Sequence, residues 1–203
     1  MPRHRDERID EAVLTAVSAL LREDGYAALT MEAIATRAGT TKPAIRRRWP
    51  SRQHLVIAAM ARDRVGVAEI DTGCLRCDIA GHLEALRLGL DDPAMRRVLP
   101  GLLADLADDP QLRQEFLEVV WAPRRQACLA VLRKAEQRND VRLDDVDLVL
   151  DLFAGPIFLR GLFRHTPSGP EFSERVTQAV LAGVGRADLH CVHSAADPRA
   201  ASH

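Results

Sequence analysis

Aromatic side chains are scarce in this chain: five Phe, two Trp and one Tyr make up 4% of 203 residues. Any internal cavity is therefore expected to be walled mainly by Leu and Val. No run of about eighteen apolar residues occurs, which excludes a membrane-spanning helix of ordinary length. The first residues, Met1-Pro2-Arg3-His4-Arg5-Asp6-Glu7-Arg8, carry charge where a secretory signal would be apolar. The expected location is cytoplasmic. Four cysteines read as reduced thiols and not as a disulfide framework. There is no nucleophile elbow, no H-E-x-x-H, no phosphate-cradling Gly loop and no dinucleotide fingerprint. No enzymatic activity and no cofactor are expected. Strand-like alternation and internal repeats are absent too.

Acidic residues are missing from one long stretch. None occurs between Glu32 and Asp63, while Arg37, Lys42, Arg46, Arg47, Arg48, Arg52 and Arg62 all fall there. The imbalance extends to the halves. Residues 1–64 hold 12 Lys/Arg against 8 Asp/Glu, and residues 65–203 hold 16 against 21. A net of −1 for the whole chain thus hides a basic head on an acidic body, the pattern of a nucleic-acid reader joined to a part with other work.

What fills the basic stretch is helical. Ile9, Val13, Ala16, Val17, Leu20 and Leu21 recur at helical spacing and predict a first helix over about 8–24, with residues 1–7 as a mobile basic arm. Thr30 can cap a short helix carrying Met31, Ile34, Ala35 and Ala38. Gly39 suits the left-handed position after it. Thr41 can cap a second short helix with Pro43 in its first turn. Two short helices and a tight turn make a helix-turn-helix, whose second helix enters the major groove of DNA. Ile45 is expected inward, and Lys42, Ala44, Arg46 and Arg47 outward. Trp49 reads as a plug between helices, and Ser51 as the cap of a fourth helix reaching about residue 64.

Residues 8–55 resemble the N-terminal domain of the TetR (tetracycline-repressor) family of one-component regulators. The residues that carry the resemblance are Gly25-Tyr26, Thr30-Met31, Ile34-Ala35, Ala38-Gly39, Thr41-Lys42, Ile45, Trp49, Ser51-Arg52 and Leu55. The chain departs from the pattern at Pro43, where Gly or Ala is usual. It departs again at Arg46 and Arg48, where an aromatic is usual, and at Arg47, where His is common. The resemblance implies that Thr30, Thr40, Thr41, Lys42, Pro43, Ala44, Arg46, Arg47 and Arg48 meet double-stranded DNA. It also implies that Arg52 pairs with a phosphate.

Beyond the head, 65–77 reads as a linker with a turn at Asp71-Thr72-Gly73. Helical patterns then follow from Asp78. One begins at Asp92-Pro93 and is interrupted near Pro100-Gly101. A long one begins at Asp109-Pro110, reaches about Gln137 and should kink at Pro123. Another runs from Asp144 or Asp145 to Phe163, and a last one spans 171–186. Asp105, Asp108 and Asp109 read as caps and solvated charges. The fold class is all-α. The expected division is a DNA-binding domain over 1–64, a helical regulatory and dimerisation domain over 65–187, and a disordered tail over 188–203.

The helix ending at Phe163 is apolar nearly all round and needs two packing partners. The resemblance implies that it and the last helix form a four-helix bundle with a second copy. Candidate interface residues are Leu152, Ile157, Leu159, Phe163, Val176, Val180 and Val184. The resemblance also implies a cavity for a small-molecule effector that releases DNA. Its candidate lining is Leu86, Leu103, Phe116, Val120, Trp121 and Phe153, with Arg124 as polar anchor. The function expected is a homodimeric, ligand-responsive regulator, a repressor acting on a palindromic operator. The alternative is a thiol or metal sensor using Cys74 and Cys77. It is disfavoured, because zinc takes four ligands and the other candidates, His82, Cys128, His190, Cys191 and His193, are scattered.

Overall fold

The computed structural model describes residues 3–65, 67 and 70–184, with side chains from Glu7 onward. The described residues form helices without strands. α1 (Arg3–Glu23), α2 (Met31–Arg37), α3 (Lys42–Arg46) and α4 (Arg52–Arg62) make the N-terminal part. α5 (Leu75–Asp91), α6 (Pro93–Asp108), α7 (Pro110–Phe116), α8 (Ala122–Gln137), α9 (Val146–Phe163) and α10 (Pro170–Val184) make the rest.

Local chemistry sets most of the ends. Thr30 Oγ1 accepts the Ala33 N–H at 3.1 Å, and Thr41 Oγ1 accepts that of Ala44 at 3.4 Å. Gly39 has φ +63°, the left-handed conformation that a side chain would strain. Asp92, Asp109 and Asp145 each accept a first-turn N–H through Oδ1. At α4 the expected cap is only half realised. Ser51 occupies the N-cap position with extended backbone, but its hydroxyl pairs with His54 Nδ1 at 2.8 Å.

Several boundaries differ from expectation. α1 opens at Arg3, so residues 3–7 extend the helix and are not an arm. α5 opens at Leu75, which shortens the linker and puts Cys77 in a helical turn. α6 runs unbroken through Pro100. A proline there deletes one backbone hydrogen bond, yet buried Val98, Leu99, Leu102 and Leu106 on both sides hold the helix against the core. The long helix is divided differently. Leu117–Trp121 form a π turn between α7 and α8, and Ala122 N–H bonds to the Leu117 carbonyl. The turn ends two residues before Pro123, whose ring would strike the carbonyl four residues back in a regular α-helix. Widening the ladder by one residue removes the clash.

One hydrophobic core runs from end to end. It begins with Val13, Val17, Ile34, Ile45 and Leu55 and continues through Ile79, Leu86, Leu102, Leu132, Phe153 and Ile157. Trp49 and Phe116 pack against it partly buried. α5 is the pillar of the C-terminal part and packs on α6, α8, α9 and α10. α1 packs on α2, α4 and α6, while α4 also meets α7 and the π turn.

Polar contacts reinforce that joint. Tyr26 donates its hydroxyl to Asp105 Oδ2 at 2.5 Å, and Gln53 Nε2 donates to the same oxygen at 3.0 Å. Asp105 is therefore no solvated charge, since it ties α6 to α4 and to the α1–α2 connection. Gly101 allows the approach, because a Cβ there would lie 2.6 Å from the Tyr26 ring. The Val146–Phe163 helix keeps an uncovered face. Leu148, Leu152, Leu159 and Phe163 stand on one stripe, with Leu159 52% and Phe163 71% exposed. Two expected interface residues face inward instead. Ile157 is 1% and Val176 6% exposed, both inside the protomer's own core, where α9 and α10 pack on α5. Val180 and Val184 are partly buried.

Candidate nucleic-acid interface and ligand cleft

The helix-turn-helix rests on two buried isoleucines, Ile34 and Ile45, which fix α2 against α3. With Ile45 inward, the opposite face of α3 is presented to solvent. Thr30, Thr41, Lys42, Pro43, Arg46 and Arg47 are exposed, and Thr40 and Ala44 half-buried beside them. The cations divide by partner. Lys42 pairs with Glu32, an exposed bridge that holds the Glu32 carboxyl below the usual carboxylate range. Such surface pairs contribute little, so a phosphate can take the place of Glu32 at small cost. Arg37 makes a two-pronged bridge to Glu23 at 3.0 and 2.6 Å. Arg46 and Arg47 have no ion pair among the described residues.

Two expected DNA ligands are occupied elsewhere. Arg48 pairs with Asp10 on α1, which turns it toward the scaffold. Arg52 Nη1 donates to the carbonyls of Leu29, Tyr26 and Ala27 at 3.0, 3.3 and 3.4 Å. Its guanidinium also lies over the Tyr26 ring at 5.1 Å. It closes the α1–α2 connection, a structural role that the charge alone did not reveal.

A second feature lies in the body. His82, Leu83 and Leu86 of α5, Trp121 of the π turn, Arg124, Arg125 and Cys128 of α8, and Leu150, Phe153 and Ala154 of α9 surround a cleft of ≈ 380 Å³ counted to its mouth. Of this, ≈ 30 Å³ is open enough to admit solvent, room for a few waters. Leu86, Trp121, Arg124 and Phe153 are thus brought together as expected, and three others are not. Leu103 is 37% exposed on α6. Phe116 packs on the core outside the cleft. Val120 lines a separate hollow with Met60, Val65 and Pro123. The π turn explains this last displacement, since one added residue per turn rotates Val120 away from Trp121 and Arg124.

His82, Cys128 and Leu150 were missed. His82 carried a signal: it stands four residues after Asp78 inside an otherwise leucine-rich helix face. Burial lowers the His82 pKa despite the nearby Asp78 carboxylate, and burial pushes the Cys128 thiol up to about 11. Arg124 Nη2 donates to the Val65 carbonyl at 2.7 Å, and its guanidinium lies 5.8 Å from the Trp121 ring centre.

The thiol or metal alternative finds no support. The described residues bring no three His, Cys, Asp or Glu together as a metal site. Cys74 is buried at the N-terminus of α5. His190, Cys191 and His193, and the expected tail, lie outside the described residues.

Known proteins match this arrangement along most of the chain. Residues 13–59 match the profile of bacterial regulatory proteins of the tetR family, and residues 69–180 match that of the tetracyclin repressor-like C-terminal domain. The chain belongs to the TetR family. Its relatives include an uncharacterised HTH-type transcriptional regulator, YdeS, of Bacillus subtilis strain 168. It is 32% identical over 162 residues, covering 78% of this chain and 80% of its own. The DNA-binding transcriptional repressor TetR of Mycobacteroides abscessus is 35% identical over 181 residues, covering 87% and 94%. The crystal structure of the TetR family transcription regulator SCO0332 superposes with a TM-score of 0.73 at 28% identity, covering 88% of this chain and 99% of that one. As a TetR-family member the protein is a DNA-binding transcriptional regulator. Among the described residues no helix is long and apolar enough to cross a membrane.

Proposed function

We propose that the protein is a cytoplasmic, homodimeric repressor that releases a palindromic operator when a small molecule enters the cleft between α5, α8 and α9. The DNA contacts are Thr30, Thr40, Thr41, Lys42, Pro43, Ala44, Arg46 and Arg47. The first-turn residues face base edges, and the two arginines face guanine or phosphate. One observation carries the dimer: the stripe Leu148, Leu152, Leu159 and Phe163 lies uncovered on α9. A twin copy covers that stripe by two-fold packing, and it sets the two reading helices roughly 34–36 Å apart, one duplex turn.

Release follows from linkage. The effector binds better to the state whose heads no longer match the operator, and DNA weakens effector binding by the same factor. Selection from a random duplex pool tests the reading. The expected product is an inverted repeat bound by two chains, with affinity falling steeply with salt. Selection of an asymmetric site bound by one chain, or of none, refutes it.

A further inference from the structure

We propose that the cleft is built for an apolar, uncharged guest that carries one hydroxyl, and that His82 Nε2 is the atom that meets it. The inference rests on the regulatory reading above and adds the chemical class of the effector.

Buried polar side chains elsewhere in the protein are answered from within it. Ser18 donates to Asp63 Oδ2 at 2.7 Å. Asp78 Oδ1 accepts the N–H and the hydroxyl of Thr72 at 2.8 and 2.6 Å. Ser173 donates to Glu84 at 3.0 Å, and Thr177 donates to the Ser173 carbonyl at 2.9 Å. His82 departs from this pattern. It is 4% exposed, and its buried Nε2 has no hydrogen-bond partner. Of these buried polar residues, His82 is also the one that lines the cleft. An unanswered buried polar atom is costly, and its place at this wall points to a guest that completes it.

The chemistry of the guest follows from the ring and its neighbours. Burial lowers the His82 pKa despite the Asp78 carboxylate, so the imidazole is neutral at pH 7. Neutral imidazole donates from one nitrogen and accepts at the other. A hydroxyl both donates and accepts, and so satisfies Nε2 in either tautomer. The charged groups of the wall are already engaged. Arg124 donates to the Val65 carbonyl at 2.7 Å and lies against the Trp121 ring. Arg125 pairs with Asp147 and Asp151 at 2.5 and 3.0 Å. Cys128 stays a neutral thiol, because burial pushes it up to about 11.

The rest of the wall sets the body of the guest. Leu83, Leu86, Leu150, Phe153 and the Trp121 ring offer apolar contact to a flat molecule. At ≈ 380 Å³ counted to its mouth, the cleft is at the small end of ligand sites, which span about 300–1,000 Å³. Only ≈ 30 Å³ stands open, so a guest of one or two rings enters by moving side chains aside.

The test uses the full chain, with 2-naphthol as probe, 2-methylnaphthalene as its match without the hydroxyl and 2-naphthoate as its charged match. Equilibrium dialysis reads the dissociation constants. His82→Leu lowers the preference for 2-naphthol over 2-methylnaphthalene about tenfold relative to wild type, and His82→Phe does the same. Continued binding of 2-methylnaphthalene by these variants shows that the cleft is intact. His82→Gln, whose amide both donates and accepts, retains most of the preference. 2-Naphthol releases wild-type protein from the selected palindrome at about a tenth of the concentration that His82→Leu needs. A preference unchanged in both apolar variants, tighter binding of 2-naphthoate than of 2-naphthol, or no binding of 2-naphthol overturns the inference, while palindrome binding upholds the regulatory reading. Failure to select any palindrome overturns both.

Discussion

Leu159→Asp should divide the proposed dimer without harming the protomer. Leu159 is 52% exposed in the isolated chain. Full burial of a leucine contributes about 1.5–3 kcal/mol, so covering its exposed half contributes roughly 1 kcal/mol. A two-fold interface loses this twice, roughly 2 kcal/mol. The substitution also places two carboxylates against apolar surface, at several kcal/mol per ion. The sum reaches at least about 5 kcal/mol, which raises the dimer dissociation constant about a thousandfold or more. Within the protomer the site is half in solvent, so stability should move by about 0.5 kcal/mol or less. Sedimentation velocity at micromolar protein reads the oligomer, and circular dichroism reads the fold. The expected pair of results is a monomer with unchanged helicity that has lost palindrome binding. A Leu159→Asp protein that still sediments as a dimer, with helices intact, would refute the assignment of this face.

Three further outcomes are expected. Arg47→Ala should weaken operator binding by about 1–3 kcal/mol where it reads guanine; where it meets phosphate instead, the salt slope drops by about one, and anisotropy titrations at several salt concentrations separate the two. Tyr26→Phe removes the donor to Asp105, a charge-assisted bond of 2.5 Å, and should lower stability by about 1.5–3 kcal/mol and Tm by about 5 °C. Glu84 is held below the usual carboxylate range chiefly by Arg87, and Ser173 adds a hydrogen bond at 3.0 Å. The folded state then binds fewer protons than the unfolded, so this stabilisation is present above the unfolded pKa of about 4.3 and is lost as pH falls through the lower folded value. The Tm deficit of Glu84→Gln should accordingly be largest at neutral pH and shrink below pH of about 4.

The helix-turn-helix was legible because each of its signals acts locally. A Thr cap, a glycine at positive φ and an apolar pair at helical spacing depend on neighbours a few residues away, and all stand where they were expected. The body was legible as helices but less so as faces. The stripe on α9 is uniformly Leu and Phe, and a residue type does not say which side meets the chain's own α5. Ile157 and Val176 went inward for that reason. The arginines differ in ways their charge does not show. Charge counts treat Arg46, Arg47, Arg48 and Arg52 alike, whereas Arg48 meets Asp10, and Arg52 meets three carbonyls contributed by residues more than twenty positions earlier. A guanidinium has donors enough for either phosphate or backbone, and only the fold decides which it finds. The π turn had a visible cause in Pro123, but a proline announces a disturbance and not its register. That one-residue change moved Val120 out of the cleft.

The same π turn bears on how a body of this kind can address its head. α4 packs on it and on α7 from one side, while α1 holds α4 from the other. Trp121, the last residue of the turn, is also a wall of the cleft, and Arg124 one turn later reaches Val65 beyond the end of α4. The cleft therefore contacts α4's surroundings at two points through one irregular segment. A regular α-helix resists local change because its ladder is uniform. A π turn holds one residue more than that ladder takes and interrupts its uniformity. α4 thus packs next to an irregular segment on one side, whereas α6 is fixed to the head through Tyr26, Gln53 and Asp105. A guest that moves the π turn while α6 stays in place would rotate α4 about the Tyr26–Asp105 contact, and with it the connection that Arg52 braces.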